Sequence, residues 1–165
     1  MFLTLAQILA LVINIIFYFQ RDKKNFLIWA FLANLSAVIV MVLAQETDGW
    51  ANSLAVLLRS TLFLGKDKYK TYLPYFIGLG LHIVAFTLSF QNAWSILLGM
   101  ATITICTAHW WGTAKVIKVA TIFSDTCWAI YVLYIGLFLD APRHILGVIL
   151  MIISLIRDKK ALDKY

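Results

Sequence analysis

The sequence predicts an all-α membrane protein: seven transmembrane helices in a 3+1+3 arrangement of two parallel three-helix repeats. Three observations lead there. The chain of 165 residues is 62% hydrophobic and 13% charged, with a mean hydropathy of +0.88, whereas a soluble domain carries about 25% charged residues. Its apolar residues gather into seven runs separated by short polar connections. Basic residues cluster after the odd-numbered runs.

The runs cover about 2–20, 26–45, 50–65, 72–90, 93–111, 118–139 and 142–156. Most approach the roughly 20 residues that a spanning helix needs. The third and seventh are shorter and are bounded by charge, so tilt or local thinning must absorb the mismatch. Pro74 and Pro142 open the fourth and seventh runs, where a missing N–H costs least. A backbone in lipid has to satisfy its own polar groups, which makes each run a helix. The first run has no basic flank before it and no small-x-small cleavage site, so it reads as a span and not as a removed signal.

Charge sets the expected orientation. Twelve of the fourteen basic residues fall on one side: Arg21, Lys23, Lys24, Lys66, Lys68, Lys70, Lys115, Lys118, Arg157, Lys159, Lys160 and Lys164. The opposite connections, "QETDG", "FQN" and "DAPRH", hold only Arg143. Positive residues stay in the cytoplasm, which puts the N-terminus outside and the C-terminus inside. The net charge of +6 is therefore topological, and nucleic acid is not an expected partner; the lipid bilayer is. A small-molecule substrate and self-association are both compatible with the reading.

Several function classes lack their signature. Cys106 and Cys127 lie in apolar runs and make neither a disulfide framework nor a zinc site, so they read as core residues. No Gly-rich phosphate loop, HExxH, CxxC or nucleophile beside a His occurs. No enzyme activity, cofactor or metal is expected.

A shift of 91 positions lays "LGKDKYK" (64–70) on "LIRDKKA" (155–161), Asn34 on Asp125, and "ETDGW" (46–50) on "LFLDA" (137–141). That match of boundaries divides the chain into a first repeat, 1–70, a linker helix, 71–91, and a second repeat, 92–165. Parallel repeats of this kind occur in SWEET-type carriers.

Candidate site residues follow from polarity at depth. Asp125 stands inside the sixth run, and a carboxylate there costs about 2.5–3.5 kcal/mol on insertion scales. At about 1.5 Å per helical residue, Asp125, Arg59 and Asn14 each lie about 10 Å in from the basic edge, and Asn34 about 13 Å. Intramembrane charges face the bundle interior and pair, so Asp125 is expected to meet Arg59. The pair serves packing or lines a substrate cavity; alternatively Arg59 snorkels to the interface. Asp125, Trp128, Tyr131 and Tyr134 repeat every third residue and are expected to share a face, which suits a small ring-bearing polar solute or plain packing. His82 in the fourth run reads as a packing residue, and His109 beside Trp110 and Trp111 as part of an interfacial belt.

Three stretches, "FYFQRDKKNF" (17–26), "LLRSTL" (57–62) and "FSDTCWAIYVLYIG" (123–136), followed by "IR" (156–157), resemble the YgjV-type bacterial inner-membrane proteins. In the third, Cys127, Trp128, Ile130 and Gly136 fall at the family's spacing. The chain departs from that pattern at Val132, Met151 and Ser154, where the family has asparagines, and at Asp125, where it has another polar residue. The resemblance implies a multi-pass protein of the inner membrane and no established substrate. At the level of fold only, the plan is similar to SWEET and PnuC-type transporters, although no Pro-Gln pair is present. The resulting expectation is a passive transporter of a small polar or aromatic metabolite, with Asp125, Arg59, Asn34, Asn14, Trp128 and Tyr131 at its site. The alternative is a non-transporting scaffold or partner-binding protein.

Overall fold

Every expected apolar run holds one helix. In the computed structural model of the protein, which describes residues 2–18, 23–64 and 71–162, the elements are α1 (Phe2–Tyr18), α2 (Lys23–Leu43), α3 (Thr47–Leu64), α4 (Leu73–Ser89), α5 (Ser95–Trp111), α6 (Ala114–Tyr134) and α7 (Ala141–Leu162). No strand occurs among the described residues. The basic clusters at 21–24, 66–70 and 159–164, which carry much of the expected orientation, lie outside the residues whose side chains are described, as does part of the "FYFQRDKKNF" stretch.

Several boundaries differ from the sequence reading, and local chemistry explains the two of α6. The Thr113 side chain accepts the Val116 backbone N–H at 3.5 Å, a helix N-cap, so Lys115 and Lys118 belong to α6 and not to the connection before it. At its other end α6 stops at Tyr134, although the apolar run continues to Leu139. Gly136 adopts φ +79°, with Leu137 N–H bonded to the Val132 carbonyl at 2.8 Å and Gly136 N–H to that of Leu133 at 3.2 Å. Those two bonds form the glycine-ended C-cap that satisfies the last carbonyls of a helix. α2 ends in the same pattern around Gln45, φ 60°, with Glu46 N–H on Met41 and Gln45 N–H on Val42, both at 3.1 Å. α7 is 22 residues long, because the helix runs through Arg157 and on to Leu162 past the end of its apolar stretch.

The packing makes a ring. α1 lies beside α2, α2 beside α3, α3 beside α5, α5 beside α6, α6 beside α7, and α7 beside α1. α4 stands outside this ring, against α3 and α5. Gly99 of α5 lets α4 come close: a Cβ there would sit 2.9 Å from the Phe86 ring. Close backbone approach of this kind matters in lipid, where packing drives helix association.

The outward faces are apolar, with Leu5, Ile8 and Leu9 on α1, Phe76, Ile83 and Val84 on α4, and Ile145, Ile149 and Ile152 on α7 all exposed. Water does not tolerate so much continuous apolar surface, whereas a bilayer does. Among the described residues, the segment Lys115–Tyr134 is both long and apolar enough to cross a membrane by itself; Phe2–Tyr18, Phe31–Leu43, Leu73–Leu88 and Ser95–Trp111 are shorter apolar stretches. α3 and α7 depart from that pattern because they carry Asp48, Arg59, Arg143 and His144, all buried.

One half of the ring is filled. Ala10, Val40, Met41, Leu98, Ala101, Tyr131, Val132, Leu137 and Ala141 form a continuous core at the end where the α2–α3 and α6–α7 connections lie. Cys127 joins it, and Cys106 is likewise buried and free, as expected of core cysteines.

Candidate functional site

The other half of the ring encloses a cavity of about 390 Å³. All six ring helices line it and α4 does not. Along α6 it extends from Ile117 to Trp128, roughly 16 Å at 1.5 Å per residue. It reaches Phe17 and Tyr18 in the last turn of α1 and Lys118 in the second turn of α6, and it stops against the packed core.

Asp125 sits on its wall. The Tyr18 hydroxyl donates to Oδ2 at 3.0 Å, and His144 Nδ1 lies 3.2 Å from Oδ1. These contacts offset the cost that the sequence reading assigned to the carboxylate. They also correct its expected partner: Asp125 is held by Tyr18 and His144 and makes no direct ion pair with Arg59. The meeting of α1, α6 and α7 depends on Gly147, where a Cβ would collide with Tyr18 Oη and Asp125 Oδ2. The His144 ring stacks on Trp128 with centroids 5.7 Å apart and planes 10° apart. Its Nε2 lies 3.9 Å from Asp140, and Asp140 is paired with Arg143 at 2.8 Å. A chain of titratable groups thus leads from the cavity toward the filled end.

His144 escaped the sequence reading because "DAPRH" looked like an external connection. Leu137 and Asp140 are buried, so the turn folds back into the bundle and α7 starts deeper than depth counting from the sequence allows. Asp48 of "QETDG" behaves alike: it is fully buried, and Ser95 donates to its carboxylate. Just outside α3, burial and then the Asp48 charge raise the Glu46 pKa.

Arg59 lines the same cavity from α3 and is 2% exposed, so it does not snorkel. Its stem runs against Gly78 of α4, where a Cβ would sit 3.1 Å from Cγ, and its guanidinium carbon lies 5.8 Å from the Phe63 ring centroid. Cys106 and His109 stand on α5 and His82 on α4, the two helices packed against α3. Nε and Nη1 of Arg59 are buried without a hydrogen-bond partner. His82 on α4 is fully buried, with both ring nitrogens unpartnered. His109, expected in an interfacial belt, lines the cavity.

The remaining candidates divide. Asn34 donates to the Ser60 hydroxyl at 3.0 Å, Asn14 to the Ala10 carbonyl of its own helix at 2.8 Å, and both line the cavity with Trp128. Tyr131 does not: it is 1% exposed within the core. Tyr134 is farther still, stacked on Trp94 with centroids 4.9 Å apart. The expected common face fails for a geometric reason. Steps of three residues fall about 60° short of a helical turn, so three such steps carry Tyr134 about half a turn away from Asp125.

Among curated proteins and among solved structures, none matches the chain. A family model, described as a bacterial inner membrane protein, matches residues 2–161, nearly the whole ring and its flanking helix. The chain belongs to the Imp-YgjV family of bacterial inner membrane proteins.

Proposed function

We propose that the protein is a passive carrier for a small polar or aromatic solute, bound in the cavity at the centre of the ring. The observation that carries this reading is the cavity's shape and lining: largely apolar with a few polar side chains in its wall, enclosed by six helices, reaching one end of the bundle and stopped by packed side chains at the other. A volume of about 390 Å³ lies within the roughly 300–1,000 Å³ of small-molecule sites. Asp125, Arg59, Asn34, Asn14 and Trp128 contribute to the site, and Tyr131 supports it from the core. The reading assigns no bond-making chemistry to these groups, so the protein acts as a carrier and not as an enzyme. With the positive-inside orientation, the N-terminus is outside, the C-terminus is cytoplasmic, and the cavity faces the cytoplasm.

The 3+1+3 plan belongs to this reading, with α1–α3 and α5–α7 as parallel repeats and α4 as the linker. Cavity-lining residues support it because they recur 91 positions apart: Asn14 and Ile105, Tyr18 and His109, Ala33 and Ser124, Asn34 and Asp125, Ala37 and Trp128, Ser53 and His144, Ser60 and Met151. The capping turns at Gln45 and Gly136 are separated by the same interval. In such a protein the site lies between the repeats, and rocking of one against the other exchanges access.

The test is single-cysteine labelling in a background lacking Cys106 and Cys127. Ser124→Cys in the cavity is expected to react with a membrane-impermeant thiol reagent from the cytoplasmic side. Cysteine at Leu98 in the core is expected to react only when the site turns outward. A cavity position that stays unlabelled from both sides would reject the carrier and favour a scaffold.

A further inference from the structure

We infer that the solute carries an oxyanion, a carboxylate or phosphate group, and that Arg59 holds it. This deepens the carrier reading and rests on it. Arg59 stays protonated at any physiological pH, is 2% exposed, lines the cavity, and has no acidic partner among the described residues. Asp125, the carboxylate that lines the cavity, is already engaged by Tyr18 and His144. The Phe63 ring centroid lies 5.8 Å from the Arg59 guanidinium carbon, and Cys106, His109 and His82 stand on α5 and α4, the helices packed against α3. None of these is an acid that balances the guanidinium.

A buried cation without a counter-charge is costly. A ligand that brings the charge removes that cost, and the guanidinium fork matches carboxylate and phosphate oxygens. The arrangement also has direction. Ninety-one positions after Arg59 stands Leu150, so the guanidinium has no counterpart in the second repeat; the other cations of the lining are Lys118, at the basic end, and Arg143, which is paired with Asp140. Trp128 and Asp125 stand on α6, separated from α3 in the ring by α5. An anion seated on Arg59 therefore turns the rest of its molecule toward an aromatic face and a hydrogen-bond acceptor.

The test uses the full chain in nanodiscs with one thiol, Ser60→Cys, in a background of Cys106→Ala and Cys127→Ala. Its labelling is compared between an anionic reagent, methanethiosulfonate ethylsulfonate, and the cationic ethyltrimethylammonium analogue, each scaled to its rate with a free thiol. The anionic reagent is expected to react faster by about tenfold, as one unscreened charge at close range allows. Arg59→Gln is expected to abolish the preference, while Arg59→Lys and Lys118→Gln retain it. Inorganic phosphate or benzoate is expected to slow the reaction, and the one that does names the group. Equal rates for both reagents overturn the inference and leave the carrier reading intact. Reaction with neither reagent refutes the cavity reading and the inference with it. Protection by anionic lipid, with neither soluble anion effective, overturns assignment to a solute. If Arg59→Gln does not fold, the wild-type ratio and the Lys variants decide.

Discussion

Replacing Gly147 by Ala tests the centre of the site with one methyl group. A Cβ at this position would overlap Tyr18 Oη and Asp125 Oδ2, so the hydrogen bond between them, 3.0 Å long, has to open. A hydrogen bond to a charged group contributes about 1.5–3 kcal/mol, and forcing a methyl into packed space costs about 1–3 kcal/mol. Ala in place of Gly within a helix returns about 1 kcal/mol. The balance is a loss of about 1.5–5 kcal/mol, read by equilibrium unfolding in mixed micelles. Two comparisons isolate the cause. Gly80→Ala on α4, where a Cβ meets nothing within 4 Å, is expected to be neutral or to stabilise by up to about 1 kcal/mol. In a Tyr18→Phe background, Gly147→Ala should cost less than in wild type, because the hydroxyl that it displaces is gone. A neutral Gly147→Ala, or equal costs in both backgrounds, refutes the account of why α1, α6 and α7 meet there.

Three further outcomes are expected. Asp125→Asn and Arg59→Gln should act additively, within about 0.5 kcal/mol, because the two residues face different partners; strong coupling in a double-mutant cycle contradicts that. Glu46 has a raised pKa in the folded protein, so the stability that it contributes is present below its unfolded pKa and is lost as pH rises through the folded value; Glu46→Gln should therefore unfold later than wild type at pH 7 and no later at pH 4. A reporter active only in the periplasm should stay silent when fused after Tyr165, and activity there overturns the orientation.

How much of this was legible in the sequence depended on whether a feature was local. Apolar runs and Pro74 located the helices, because both act on the chain nearby. Depth counting placed Asp125, Arg59, Asn14 and Asn34 in one layer, and all four line one cavity. Which side chains touch was not legible, since it depends on helix rotation and on turns that dip inward. The turn at 135–140 hides His144 from any count made along the chain, and nothing in the sequence at Tyr18 marks it as a partner of a residue 107 positions away. The steady drift of every-third-residue steps separated Tyr131 and Tyr134 from Asp125, and the 3.6-residue period already contained that fact.

The position of α4 has a mechanical consequence. Along α3 and α5 the bundle is buttressed from outside by an extra helix. The opposite seam, where α1 meets α7, lacks such a brace among the described helices; next to it stand Gly147 and the Tyr18–Asp125 hydrogen bond. The structure therefore has a braced edge and, among the described helices, an unbraced one, which the carrier proposed above would use as hinge and clasp. If helices α1–α3 swing against α5–α7, the buttressed edge resists and the clasp parts. In the carrier proposed above, a solute that donates to Asp125 would compete with the Tyr18 hydroxyl, so that occupancy of the cavity and release of this contact would draw on the same atoms.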